Sequence, residues 1–343
     1  MADCMQNLWY NPAAQYSPSF SAAKRIARCK ASIAGMLEAA PEEILFTSGA
    51  TESNNQVLRA FAGKRVLLSA LEHKSVLESA RAAGCKIALL YPDKNGVIDP
   101  EKAKEAMTWD TALVSILYAS NETGVIQPVS EIAALAKDMH IPFHTDAVQA
   151  FGHIPVCAKE FDFLTFTGHK LYGPKGIGGL YMRLGHELPP LIQGGGQQQK
   201  RRSGTEDTAL CAGLEKACTL AGADMAQRAQ RERVLRDAFE ALITEKIKGA
   251  RVLGKDAPRV PGISAILLPG KTANEMVVRL NAKGILISGG AACDAASAGA
   301  MNGYTAMGLT QDEAKRVIRV SIGRHTTDEE LCLAAREIIR ICT

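Results

Sequence analysis

Residues 44–70, ILFTSGATESNNQVLRAFAGKRVLLSA, contain the pattern that decides the fold. Two short apolar runs, Ile44–Ser48 and Arg65–Ala70, have the length and composition of buried strands. Between them, Thr51–Ala62 carries its apolar residues at helical spacing. A strand, a helix and a second strand in this order predict parallel strands with helices packed on the sheet.

The same alternation continues as far as residue 183. Five further apolar runs are predicted strands: Lys86–Tyr91, Leu113–Ala119, Ile141–Ala147, Phe161–Phe166 and Ile177–Arg183. Three further segments have helical spacing: Lys74–Ala83, Pro100–Thr108 and Val129–Met139. We therefore predict an α/β fold whose large domain contains a mostly parallel seven-stranded sheet, flanked by helices on both faces.

The pattern changes after Gly204. Thr205–Lys248 has helical spacing over two helices, and shorter apolar and helical segments follow: Ile263–Leu268, Asn274–Asn281, Ile285–Ser288, Val317–Ile322 and a last helix from Thr327. These segments predict a smaller α+β C-terminal domain, and a length of 343 residues agrees with two domains of ~150 residues each. We assign residues 12–235 to the large domain and residues 1–11 and 236–343 to the small domain.

Composition excludes several classes of function. The net charge of +4 is too small to indicate a nucleic-acid partner, and Lys200–Arg202 is predicted to be a solvated turn. No apolar run reaches the ~18 residues that span a bilayer, and the N-terminus lacks the pattern of a secretory signal. Nine cysteines without a CxxC motif do not indicate a disulfide framework. We expect a cytoplasmic protein without membrane or nucleic-acid partners.

In parallel sheets, ligands bind at the carboxyl ends of the strands. The first strand ends before Gly49, and Ala50 and Thr51 open the next helix. A helix N-terminus presents unpaired N–H groups that suit a phosphate, although the same residues also suit a plain helix cap. Neither a Walker A loop nor a GxGxxG motif occurs, so ATP and dinucleotides are disfavoured.

Two charged residues follow later strands. Asp146 ends the fifth strand, where a buried carboxylate needs a cationic or hydrogen-bonding partner. His140, His144 and His153 lie near it in sequence, but no helical pair of metal ligands is present, so no metal is predicted. Lys170 stands between a strand and a Gly-rich loop and is a candidate Schiff-base amine. An anion site, a carboxylate and an amine together match the needs of pyridoxal phosphate (PLP).

Seven segments carry a family resemblance: TSGATESNN, LEHKSVLE, SNETGVIQPV, HTDAVQAFGHIPV, TGHKLYGPKGIGGLY, RRSGTED and RVSIGRHTTDEEL. Between Tyr10 and Glu330 they resemble the successive motifs of the cysteine desulfurases of the NifS/IscS type. Those are PLP enzymes of fold type I in the class V aminotransferase family. The resemblance implies a homodimer that converts L-cysteine to L-alanine and passes the sulfur to a protein acceptor.

The resemblance also implies roles for individual residues. Lys170, His73 and Cys293 would be catalytic, with Cys293 carrying the sulfur as a persulfide. The implied cofactor-binding residues are Ala50, Thr51, His73, Asn121, Asp146, Gln149, Thr167, His169 and Lys170, with Thr205 supplied by the second subunit. Asn11 and Arg324 would bind the substrate carboxylate.

The chain departs from the family around the implied sulfur carrier. Asp294 follows Cys293 at a position where relatives usually carry Thr or Ser, and a neighbouring negative charge disfavours a thiolate. The segment Ala298–Thr305, AGAMNGYT, replaces a LEPSY-like sequence of the family. These differences leave the identity of the sulfur acceptor open.

Two other functions stay open at this level. The first is a PLP-dependent β-lyase acting on cysteine or selenocysteine, which would not need Cys293. The second is a non-catalytic relative that binds partners, although the presence of Lys170, Asp146 and His73 argues against it.

Overall fold

The computed structural model describes residues 1–289 and 303–343. The strands are β1 (Ile44–Thr47), β2 (Arg65–Ser69), β3 (Lys86–Leu90), β4 (Thr111–Ser115), β5 (Phe143–Asp146), β6 (Phe163–Thr167), β7 (Gly178–Met182), β8 (Arg251–Val252), β9 (Ile263–Leu267), β10 (Ser288–Gly289) and β11 (Val317–Ser321). The helices are α1 (Ala2–Asn7), α2 (Ser17–Leu37), α3 (Ala50–Ala60), α4 (Lys74–Ala82), α5 (Pro100–Ala106), α6 (Val129–Asp138), α7 (Gln197–Lys200), α8 (Thr208–Ala223), α9 (Met225–Lys246), α10 (Ala273–Asn281), α11 (Gly303–Ala306), α12 (Gln311–Ala314) and α13 (Asp328–Cys342).

The first seven strands form one sheet in the order β1-β7-β6-β5-β4-β2-β3. The neighbours from β3 to β6 are parallel, and β7 runs antiparallel to both β6 and β1. The predicted mostly parallel seven-stranded sheet is therefore confirmed. Because β4, β5 and β6 are adjacent and parallel, the residues after their carboxyl ends meet at one edge of the sheet.

Both faces of the large sheet are covered by helices. Along β1, Ile44 and Phe46 pack into the cluster that includes α2, α5, α6 and α8, whereas Leu45 packs against α3 and α4 on the other face. Successive side chains of a strand point to opposite faces, so an uninterrupted apolar run is the pattern of a strand buried on both sides. The strand-end residues thus rest on a rigid, fully packed layer.

A second, antiparallel sheet has the order β10-β11-β9-β8. One of its faces packs against α9, α10 and α13 around Ile266, Ile318 and Ile338, which confirms the second, smaller sheet region. Helix α1 packs on α8 through Cys4, and the Thr208 hydroxyl donates to the Leu8 carbonyl at 2.9 Å. The domain boundary between residues 235 and 236 stays a prediction, and it falls within α9.

We expect Gly179→Ala to lower the free energy of unfolding. Gly179 in β7 faces Phe166 in β6, and an added Cβ would lie 2.3 Å from the Phe166 ring. Overpacking of this kind costs about 1–3 kcal/mol. Gly35→Ala is the matched control, because Gly35 lies in helix α2 with nothing within 4 Å of an added Cβ. It should stabilise the chain by up to about 1 kcal/mol, and equal denaturation midpoints for the two variants would contradict this packing.

Candidate active site

A cavity of about 660 Å³ opens at the carboxyl ends of β4, β5 and β6. Residues from both sheets line it. The predicted site residues among them are Ala50, Thr51, His73, Asn121, Asp146, Gln149, Thr167, His169 and Lys170. The fold therefore brings predicted residues from α3 to the turn after β6 together at one site.

Among the described residues, three predicted site residues do not line this cavity. Asn11 accepts a hydrogen bond from the Ala13 amide at 3.0 Å, and Arg324 forms an ion pair with Asp224 at 2.9 Å. Thr205 is exposed, and Cys293 lies outside the described residues. Arg324 is thus engaged away from the cavity in this conformation.

The first turn of α3 forms one wall of the cavity. Gly49 is the N-cap residue of α3, and the first N–H groups of a helix have no partner inside it. Glu52, in the same turn, accepts from the Ser48 amide at 2.8 Å. Its two carboxylate oxygens also accept from Nε and Nη2 of Arg202, at 2.9 and 3.2 Å. Because Arg202 neutralises that carboxylate, the turn keeps its positive end and can bind an anion.

Thr167 and His169 lie beside this turn. The Thr167 hydroxyl is 3.1 Å from Nδ1 of His169, at the end of β6. An added Cβ at Gly49 would lie 3.8 Å from that hydroxyl, so the two walls approach each other closely. Hydroxyl, imidazole and backbone N–H donors around one point form a site that fits a phosphate.

Asp146 ends β5 and is buried at the floor of the cavity. Its carboxylate accepts from Nδ2 of Asn54 at 2.8 Å and from the Val148 amide at 3.0 Å. Burial raises the pKa of Asp146, while the Asn54 bond and the charges of His73 and Lys170 act in the opposite direction. A buried carboxylate with few donors is suited to pair with a protonated ring nitrogen.

Lys170 lies in a helical turn, Gly168–Leu171, directly after β6. Burial and the nearby Arg319 lower the pKa of Lys170, and Asp146 opposes that effect. A lowered pKa increases the neutral fraction of the amine, which is its nucleophilic form. His153 donates from Nε2 to the Lys170 carbonyl at 3.1 Å and so holds this turn.

His73 is the N-cap residue of α4 and its ring borders the cavity. Its Nδ1 lies 3.1 Å from the Ser75 amide and 2.7 Å from the Ser75 hydroxyl. The same hydroxyl lies 2.8 Å from Nδ2 of Asn54. His73 and Asp146 are thus joined through Asn54 and Ser75.

Arg319 and Asn54 also belong to the site and were not predicted from the sequence. Arg319 lines the cavity, donates to the Asn121 carbonyl at 2.9 Å and to the Ser288 hydroxyl at 3.2 Å, and forms no ion pair with a described carboxylate. An arginine between the buried Ile318 and Val320 of a strand was the available signal. No sequence pattern distinguishes Asn54 from the other polar residues of its predicted helix.

An anion site, a buried carboxylate and an amine of lowered pKa around one cavity fit PLP. The model of the family described as aminotransferase class-V matches residues 4–333. The chain belongs to that family. Members of the family depend on PLP, so the predicted cofactor is confirmed at that level.

Individual relatives narrow the comparison. The chain is 38% identical over 317 residues to the cysteine desulfurase IscS of Dictyoglomus turgidum, covering 89% of this chain and 80% of that protein. It is 36% identical to the cysteine desulfurase IscS of Methanosarcina thermophila, covering 94% and 82%. The resemblance to the NifS/IscS type is therefore confirmed.

Solved structures agree. A NifS-like protein superposes with a TM-score of 0.91 at 29% identity, covering 99% of this chain and 93% of that one. A structure described as SspA in complex with cysteine superposes with a TM-score of 0.81 at 32% identity, covering 95% and 94%. These neighbours confirm the class V aminotransferase fold.

Two further observations concern metals and membranes. Within residues 1–289 and 303–343, no group of three or more His, Cys, Asp or Glu side chains could hold a metal ion. In the same part of the chain, every helix is too short or too polar to cross a bilayer.

His144 generates a testable pH dependence. It is fully buried, with Nδ1 2.8 Å from the Ser115 hydroxyl and Nε2 3.1 Å from the Thr165 hydroxyl, and burial lowers its pKa to about 3. The unfolded chain binds this proton near pH ~6.5. Between these two pH values the unfolded state carries more protons, so stability falls as the pH falls.

His144→Gln removes this dependence. The difference in unfolding free energy between wild type and His144→Gln should narrow by about 1.4 kcal/mol per pH unit below pH ~6. Urea unfolding at a series of pH values measures it. A difference that stays constant with pH would show that His144 is not buried in its neutral form.

Proposed function

We propose that this protein is a PLP-dependent cysteine desulfurase that converts L-cysteine to L-alanine. The observation that carries the proposal is Lys170 and Asp146 facing one cavity beside an anion-binding turn, in a chain similar to cysteine desulfurases over most of its length. The sulfur passes to Cys293. One C–S bond breaks and one S–S bond forms, so the sulfur is oxidised and the β-carbon is reduced by the same two electrons.

The cofactor is held by the residues of the cavity. Ala50, Thr51, Thr167 and His169 would bind its phosphate, and Asp146 would pair with its ring nitrogen. Gln149, Asn121 and His73 line the same cavity; the first two would supply hydrogen bonds to the cofactor, and His73 would contact its ring. When bound, PLP withdraws electrons from the substrate's α-carbon, which makes the α-proton removable.

Lys170 would supply the amine that holds the cofactor and would move the substrate's α-proton. Its lowered pKa supports both roles, because a neutral amine is needed to attack a carbonyl and to accept a proton. The hydrogen bond from His153 to the Lys170 carbonyl keeps the backbone of this turn fixed while the side chain moves.

Arg319 binds the substrate carboxylate in this proposal, in place of Arg324. Arg319 borders the cavity and has no acidic partner among the described residues, whereas Arg324 pairs with Asp224. A guanidinium without a carboxylate partner can donate two hydrogen bonds to the carboxylate of an amino acid and so bind it strongly. Asn11 contributes only if its segment moves toward the cavity.

The chain acts as a homodimer in the cytoplasm and delivers sulfur to a protein acceptor. A second subunit would supply Thr205 to the phosphate, which agrees with its exposed position outside the cavity of its own chain. Sedimentation of the purified protein tests the dimer. Thr205→Val should weaken cofactor binding, and the protein should still sediment as a dimer.

The product assay tests the reaction. Purified protein with PLP, L-cysteine and a thiol reductant should release alanine and sulfide in equal amounts. Cys293→Ala should lower both by at least ~100-fold, because it removes the nucleophile that accepts the sulfur. Cys332→Ala, a half-buried cysteine on α13, is the control and should keep the wild-type rate.

Other product ratios have definite meanings. Pyruvate in place of alanine, with Cys293→Ala still active, would make the protein a β-lyase. Cofactor binding without any product from cysteine or selenocysteine would favour a partner-binding relative.

Arg319→Gln and Arg324→Gln test the carboxylate site. Loss of a charge-assisted hydrogen-bond pair should raise KM for cysteine by roughly 10- to 100-fold in Arg319→Gln. Arg324→Gln removes only a partly exposed ion pair and should change KM by at most about fivefold. The opposite order in steady-state kinetics would return the role to Arg324.

A further inference from the structure

A continuous hydrogen-bonded chain runs beneath the cavity from Asp146 to His73. Nδ2 of Asn54 lies 2.8 Å from Oδ2 of Asp146 and 2.8 Å from the Ser75 hydroxyl. The Ser75 hydroxyl lies 2.7 Å from Nδ1 of His73. Asn54 is fully buried, and Ser75, which also lines the cavity, is nearly so.

The direction of each bond follows from the chemistry of the groups. An ionised carboxylate only accepts, so Asn54 must turn its NH₂ group toward Asp146. That NH₂ group has two hydrogens, and the second one points to the Ser75 oxygen. Within residues 1–289 and 303–343 the buried Asn54 carbonyl oxygen has no partner, so the side chain keeps this orientation despite an unsatisfied acceptor. The Ser75 oxygen therefore accepts from Asn54 and has its own proton free for His73.

A second donor reaches the same nitrogen of His73. The Ser75 amide lies 3.1 Å from Nδ1, and a backbone N–H can only donate. Nδ1 thus faces two donors, the amide and the hydroxyl of Ser75, and must offer them its lone pair. In a neutral imidazole the proton then resides on Nε2.

We propose that Ser75 and Asn54 are positioning residues that fix the Nε2–H tautomer of His73 and tie its ring to Asp146. His73 consequently presents an N–H donor at Nε2, and it can accept a proton there only after losing that hydrogen. This inference rests on the proposed function for its catalytic meaning, since His73 and Asp146 line the same cavity and would both contact the cofactor.

This tautomer decides whether Nε2 of His73 acts as a hydrogen-bond donor or as a base. A ring held with Nε2–H stabilises negative charge that develops on a substrate atom, as a fixed hydrogen-bond donor does. It does not serve as the base that ionises a thiol. Ionisation of Cys293 or of the substrate thiol must then use another acceptor.

Nitrogen NMR of protein labelled with ¹⁵N-histidine reads the tautomer directly. The His73 signals are assigned by their loss in His73→Gln. In the wild type, we expect Nδ1 at the shift of an unprotonated imidazole nitrogen and Nε2 at that of a protonated one. The reverse pattern would overturn the proposal, and this result does not depend on which reaction the protein catalyses.

Variants of Ser75 test the relay. Ser75→Ala removes the hydroxyl donor and keeps the backbone amide donor. It should therefore move the Nδ1 signal to that of an unprotonated nitrogen with one hydrogen bond fewer, and lower kcat/KM of the holoenzyme by about tenfold, the equivalent of one hydrogen bond. Ser75→Thr keeps the hydroxyl and should return the Nδ1 signal to its wild-type position and kcat/KM to within about twofold. Ser79→Ala is the control, because Ser79 is a buried serine one turn later on α4 whose hydroxyl has no partner among the described residues.

Each outcome has a definite meaning. A Nδ1 signal that moves in Ser75→Ala and returns in Ser75→Thr supports the relay. A loss of activity in Ser75→Ala without movement of Nδ1, or equal effects of Ser75→Ala and Ser79→Ala, would overturn it as a packing effect. If the product assay fails while the Nδ1 shifts behave as expected, the proposed function is wrong and the relay stands.

Discussion

The site depends on the buried carboxylate of Asp146. Its burial raises its pKa, yet Asn54, the Val148 amide and the charges of Lys170 and His73 all favour the ionised form. A buried carboxylate is costly unless a further cation pairs with it. A cofactor with a protonatable ring nitrogen would supply that cation, so the burial of Asp146 would favour its binding.

The other features of the cavity follow from the same edge of the sheet. β5 and β6 are adjacent and parallel, and therefore Asp146 and Lys170, which follow them, lie at one level. Burial lowers the pKa of Lys170 and raises that of Asp146, so desolvation favours the neutral form of each. Burial thus increases the nucleophilic fraction of Lys170, whereas the ionised form of Asp146 is favoured by its hydrogen bonds from Asn54 and Val148 and by the neighbouring charges.

Much of this was predictable from the sequence, for physical reasons that differ between residues. The strands of the large sheet are buried on both faces, so their apolar runs mark them without reference to tertiary structure. Asp146 and Lys170 stand at strand ends, where topology alone predicts their meeting. Asn54 and Arg319 project from the interior of a helix and a strand, and no local pattern distinguishes them from structural residues. Their roles depend on which groups lie opposite in space.

The motif that contains Arg324 does not by itself show which of its arginines faces the cavity. The segment RVSIGR offers two guanidinium groups five residues apart, Arg319 in β11 and Arg324 after it. The first faces the cavity from a strand, whereas the second lies beyond the strand and reaches Asp224 at the start of α9. Because the chain turns away after β11, only Arg319 of the two shares the cavity with Lys170.

The positive charge of Arg319 also helps to lower the pKa of Lys170. One side chain can therefore both bind a carboxylate and increase the neutral fraction of the amine. An anionic substrate paired with Arg319 would weaken that repulsion and so favour the protonated form of Lys170.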